Sequence, residues 1–150
     1  MKKYSFRLQT VLDLREKALE DKRLEMAKVI KLLNTYESEL KTLEKTTDNY
    51  NIAMENLSIS NDYVNVAELA GYNTYLVDIE QKIKKQKFLI ENTKKVLKVK
   101  QNEVNEALKE VKVLEKLKET QSQKFYQAIE KKEAEEIDDI VTARYKLQVV

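Results

Sequence analysis

Counted in heptads from Leu12, one face of the first part of the chain runs Leu12, Arg15, Leu19, Lys22, Met26, Val29, Leu33, Tyr36, Leu40, Leu43, Thr47, Tyr50, Met54 and Leu57. Eleven of these fourteen are apolar, so the a and d positions merge into one helical stripe that cannot stay in water alone. A second stripe with the same spacing follows: Leu69, Tyr72, Leu76, Ile79, Ile83, Gln86, Ile90, Thr93, Leu97, Lys100, Val104, Ala107, Val111 and Leu114. Between the two stands Ser58-Ile59-Ser60-Asn61-Asp62, the one cluster of turn-forming residues, followed by Asn65 with Glu68 at the spacing of a helix cap. Two long helices joined by a short polar turn fold back on each other. The expected fold is all-α: an antiparallel coiled-coil hairpin with a longer C-terminal helix overhanging. One domain is expected over residues 1–150, with helices over about 5–57 and about 65–145 and a turn over about 58–64.

A bend near Asn61 makes facing residue numbers sum to roughly 123, which sets Ser5 opposite about Lys118. There the second stripe turns polar, at Lys118 and Gln121, before Phe125 and Ala128. The residues beyond Lys118 are therefore expected to project without a partner in the chain, as an amphipathic helix with Phe125, Ile129, Ile137, Ile140 and Val141 apolar. At the other end residues 1–4 are expected to fray, with Ser5 as helix cap and Thr10 and Asp13 as a second capping box. Across the edges Glu37 is expected near Lys87 and Glu39 near Lys82. Arg15, Lys22, Thr93 and Lys100 interrupt the stripes and are expected to loosen or bend the pair.

Composition sharpens this picture. There is one glycine, Gly71, and no proline, so few corners can be made and the elements must be long. Charged residues are 36% of the chain but nearly cancel, leaving +2, and no bulk field draws it to nucleic acid or lipid. Without cysteine or histidine there are no disulfides, no thiolate or imidazole metal ligands, and no Ser-His or Cys-His nucleophile. One glycine cannot build a phosphate-cradling loop. The chain is expected to be non-enzymatic, with no cofactor and no metal. The start lacks the apolar core of a signal peptide and no segment suits a membrane span, so a cytoplasmic protein with no direct membrane insertion is expected.

Residues Lys82 to Lys100 hold eight lysines against one acid, Glu91. A contact to phosphate or to an acidic protein is one reading; a solvated outer face fits the near-neutral net charge better. Tyr36, Tyr50 and Tyr72 fall on the stripes and suit core positions with their hydroxyls at the edge. Tyr63 and Tyr75 lie near the bend but off the stripes, where an exposed aromatic favours an interface.

The opening Tyr4-Ser-Phe-Arg-Leu-Gln-Thr-Val-Leu-Asp-Leu-Arg-Glu16, the run from Tyr72 and Tyr75 through Ile79 to Ile83, and Leu114-Glu-Lys-Leu117 before a charged tail resemble the flagellar export protein FliJ family over nearly the whole chain. The resemblance implies a cytoplasmic component of the bacterial flagellar type III export apparatus, peripheral at the cytoplasmic face of the inner membrane. It implies a stalk whose joined termini enter the hexameric export ATPase, promoting ring assembly and activity, and whose arm reaches the cytoplasmic domain of the export gate. Gate-binding residues carried over by motif are Leu43, Tyr50, Tyr75, Ile79, Lys82 and Gln86. Leu43, Tyr50 and Ile79 are also stripe positions, so core packing competes with that role, and Thr46 stands where the family can carry an aromatic. On the ATPase side Phe125, Tyr126, Ile129 and Glu133 are expected to bind. Export chaperones are further partners to consider; nucleic acid is not expected. The alternative is a structural coiled-coil tether or homodimerisation module, in which two overhangs pair. A weaker third reading makes Lys82 to Lys100 a nucleic-acid-binding arm.

Overall fold

A computed structural model describes residues 2–60 and 66–149. Two α-helices, α1 (Gln9–Ser60) and α2 (Val66–Val149), form the whole described architecture and pack antiparallel against each other. Among the described residues there is no strand, no cis peptide and no positive φ. The all-α hairpin follows from the stripes, since each can leave water only against the other. Every stripe position from Leu12 to Leu57 and from Leu69 to Leu114 is buried or half-buried except Arg15. Full burial of one large apolar side chain contributes roughly 1.5–3 kcal/mol, and the half-buried ones contribute less. The turn residues Asn61 and Asp62, the cap at Asn65, and Tyr63 lie outside the described residues.

The chain divides into two compact units. The central unit is Lys22–Val104. Leu33, Ile79 and Ile90 form its buried apolar centre, and Gln86 and Thr93 are buried with them. These polar stripe residues are satisfied rather than disruptive. Gln86 Nε2 donates to the Tyr36 carbonyl and to Glu39, both at 2.9 Å, and Thr93 Oγ1 donates to the Leu89 carbonyl at 2.7 Å. Thr47 likewise donates to the Leu43 carbonyl at 3.0 Å, so none of the three leaves an orphaned polar group.

Lys22 and Lys100, expected to loosen the pair, instead belong to a quartet with Glu25 and Glu103. Lys100 Nζ lies 3.2 Å from Glu25 and 3.5 Å from Glu103, and Lys22 Nζ 3.6 Å and 3.4 Å from the same two. Glu103 Oε2 is closed to solvent and accepts no hydrogen bond, so the two ammonium groups at ion-pair distance are its only compensation. Lys100 first, then Lys22, hold the Glu25 carboxyl below its ordinary value. Glu25 and then Glu103 raise Lys100 above its own. The expected pairs of Glu37 with Lys87 and Glu39 with Lys82 are not closed among the described residues; Glu39 instead accepts from Gln86.

The terminal unit is Met1–Asp21 with Asn105–Val150. Its buried residues are Phe6, Leu12, Leu19 and Val111. Arg15 reaches out of its stripe position to Glu110 at 2.8 Å, and Lys118 Nζ donates to Gln9 Oε1 at 2.7 Å. Ser5 is not the helix cap, because α1 begins at Gln9. Ahead of it a single turn closes from the Gln9 amide to the Phe6 carbonyl. Thr10 sits inside the helix, and Asp13 accepts from the Gln9 side chain at 2.8 Å instead of capping. Nor is Tyr4 frayed. Its hydroxyl donates to Gln121 at 3.0 Å, its amide to the Tyr126 hydroxyl at 3.5 Å, and its ring lies 5.5 Å from that of Phe125. Aromatic anchoring of residues 4–6 has overridden the local capping preference.

The seam also changes phase here. After Lys118 the half-buried positions are Ser122, Phe125 and Ile129, while Gln121 and Ala128 are exposed. A four-residue step replaces a three-residue one, which makes an eleven-residue, three-turn interval of Val111, Leu114, Lys118 and Ser122. The partnered part of α2 therefore extends to Ile129. From Glu130 to Gln148 every residue is exposed.

Candidate functional site

Two surfaces collect the sequence-predicted residues, one in each unit. In the central unit Tyr50, Tyr72 and Tyr75 form an aromatic cluster, with ring centroids 5.7 Å apart for Tyr50 and Tyr72 and 4.5 Å for Tyr50 and Tyr75. With Glu68 and Gly71 they line an open groove of about 370 Å³. The Tyr75 hydroxyl, then burial, push the Tyr50 hydroxyl above its ordinary value. Tyr75 is 43% exposed and Lys82 is exposed. Leu43 and Tyr50 are half-buried. Ile79 is 2% exposed and Gln86 is buried on hydrogen bonds, so these two have little surface to offer a partner. Of the six motif-derived residues, the structure brings Tyr50 and Tyr75 into ring contact and leaves Tyr75 and Lys82 the most accessible.

In the terminal unit Phe125 and Ile129 are half-buried, while Tyr126 and Glu133 are exposed. Phe125 and Tyr126 are not partnerless, as the expected overhang implied: with Tyr4 they make a second aromatic cluster, Phe125 and Tyr126 being 5.5 Å apart. The unpartnered surface lies further on. Ile137, Ile140, Val141 and Tyr145 recur at helical spacing and are 55–68% exposed. Residues 130–139 carry six acids against two lysines.

The sequence reading used Tyr4 only as the start of the opening motif, within the residues expected to fray, and did not single out Phe88. Tyr4 pairs with residues more than a hundred positions away, which no periodicity reveals. Phe88 stands inside the lysine run, 64% exposed beside Lys84, Lys85 and Leu89. An aromatic one turn after paired lysines was the available signal.

Among the described residues no cluster of acids could hold a metal ion. Among those residues, too, no helix is long and apolar enough to cross a membrane. Fold and surfaces define a two-helix antiparallel coiled coil with exposed aromatic and apolar side chains. More particularly, the chain belongs to the flagellar FliJ protein family, whose pattern matches residues 4–149. Neither a curated protein nor a solved structure matches it. Membership makes it a component of the flagellar export apparatus.

Proposed function

We propose that the chain is the non-catalytic stalk of the export ATPase, inserting its acidic overhang into the hexameric ring and linking the ring to the cytoplasmic domain of the export gate. The observation that carries this reading is the stretch Glu130 to Gln148: nineteen consecutive exposed helical residues with an apolar stripe. A helix of that kind gains its stability from a partner outside the hairpin. Tyr126 and Ile129 mark where the hairpin ends and the ring contact begins, and Glu133 lies on the inserted segment. Phe125 supports the contact by holding Tyr4 against α2. The work of the stalk is mechanical, through a stiff paired helix, and it operates at the cytoplasmic face of the inner membrane.

On the gate side Tyr75 and Lys82 make the contact. Tyr50 and Leu43 form its floor, and Ile79 and Gln86 set the helix spacing beneath it. Titrating the isolated gate domain with Tyr75→Ala and with Lys82→Glu tests this. Both variants should bind at least tenfold more weakly while keeping the parent's circular dichroism and melting temperature. Unchanged binding by both would remove the gate contact from this surface.

A further inference from the structure

Besides the overhang, α2 has a second exposed apolar face, in the central unit. Val77, Phe88 and Val99 recur at eleven-residue intervals, three helical turns apart, and Leu89 and Val96 fall on the same side. They are between 42% and 64% exposed. Lys84, Lys85 and Lys95 lie on that face among them, and no acid from Lys82 to Lys100 offsets them except Glu91. The face is outside the seam and α1 does not cover it. Apolar side chains set among unpaired lysines suit an acidic amphipathic helix, whose stripe would cover the apolar residues and whose flanking carboxylates would meet the lysines.

The chain itself contains such a helix. In the overhang the stripe of Ile137, Ile140, Val141 and Tyr145 is flanked by Glu136 on one side and Asp138 on the other, with Glu133 a turn ahead. Both surfaces belong to the uninterrupted helix α2, and a helix cannot pack alongside itself, so the occupant comes from another molecule. We infer that the acidic overhang of a second copy of this chain docks on the Phe88–Leu89 face. Pairing of two overhangs, the other route to a homodimer, brings together segments of like net charge, since residues 130–148 carry six acids against Lys131, Lys132, Arg144 and Lys146, whereas the lysine face offers the opposite charge. Because the contact joins two different surfaces, a dimer closes only when both copies use both surfaces; otherwise association grows with concentration. It occupies the segment assigned to the ATPase ring, so self-association and ring insertion exclude one another.

The test is sedimentation of the full-length chain from about 1 to about 200 μM at low salt and at about 0.5 M salt, where exposed charge attraction is screened. Association is expected at low salt and should weaken at least tenfold at high salt. Lys84→Glu with Lys85→Glu should abolish it, as should Glu136→Lys with Asp138→Lys in a separate protein, all four positions being exposed. Mixing the two charge-reversed proteins should restore association, because the basic overhang of one then meets the acidic patch of the other. Phe88→Glu serves as an independent patch variant and should also be monomeric. A wild-type chain that stays monomeric at low salt overturns the inference. So does association that survives the patch variants, or charge-reversed proteins that fail to recover on mixing while both remain helical.

Discussion

Ile79 and Gly71 stand close together on α2 under opposite constraints. Ile79, at 2% exposure, is a seam residue with no room to be replaced. Truncating it to Ala should cost about 2–4 kcal/mol through lost burial and the cavity left behind, measured as a lower midpoint in urea denaturation. Gly71 has helical neighbours on both sides, no positive φ, and open space where a Cβ would sit. Nothing local requires glycine there. Gly71→Ala should stabilise the chain by about 0.5–1 kcal/mol, since glycine gives up more backbone freedom in a helix than alanine does. A raised melting temperature checks this; a lowered one would mean that the groove beside Tyr50 and Tyr75 does not tolerate the added methyl. Sequence reading put Ile79 on both the seam and the gate surface. Only burial separates the two roles, because a heptad position states which way a side chain points and not how closely the partner approaches.

Among the elements, the quartet of Lys22, Glu25, Lys100 and Glu103 shows how charge sits in a seam without breaking it. Glu25 has its folded value lowered, so its contribution is present above the ordinary glutamate range and is lost as pH falls through the lower folded value. Lys100 has its value raised, so its contribution is present below the ordinary lysine range and is lost as pH rises through the higher folded value. Stability from the quartet should therefore be flat between these limits and fall at both. Glu25→Gln should flatten the acid limb of a plot of melting temperature against pH while leaving the neutral plateau nearly level. An unchanged acid limb would show that the quartet is not what titrates.

The register was more legible than the bend suggested. In an antiparallel pair, only layers that set a against d match the three- and four-residue steps of both helices. The two stripes then permit facing numbers that sum to about 126, or seven more or less. Arg15 with Glu110, Lys22 with Glu103 and Glu25 with Lys100 sum to about 125, close to that value and about two above the one drawn from Asn61. The phase change after Lys118 was hidden, because Gln121 and Ser122 are both polar and hydropathy does not choose between them. Ser122 is half-buried and shares its side of α2 with the half-buried Phe125 and Ile129 on the following turns.

In the whole chain, the length of free helix is set by where partnering stops. The sequence placed that limit at Lys118, and the Tyr4, Phe125 and Tyr126 cluster moves it to Ile129. A contact across so great a sequence separation lies outside any local pattern, which is why the overhang was overestimated. Two truncations should therefore behave differently. Ending the chain at Glu130 removes, among the described side chains, only exposed ones and should leave the melting temperature within a degree or two of the parent. Ending it at Lys118 strips Tyr4 of its partners and should lower the melting temperature by several degrees. Equal losses would mean that the terminal cluster does not hold.

The 1–130 chain is the right reagent for the central claim, because it separates the overhang from the hairpin. ATP hydrolysis by the cognate flagellar export ATPase should be measured while titrating full-length protein, the 1–130 chain, and full-length Tyr75→Ala. Full-length protein and Tyr75→Ala should stimulate hydrolysis alike, and 1–130 should stimulate it little or not at all while remaining as helical per residue as the parent. Stimulation by 1–130 equal to that of the full chain would contradict the account, leaving the exposed segment from Glu130 onward without a role in the ring.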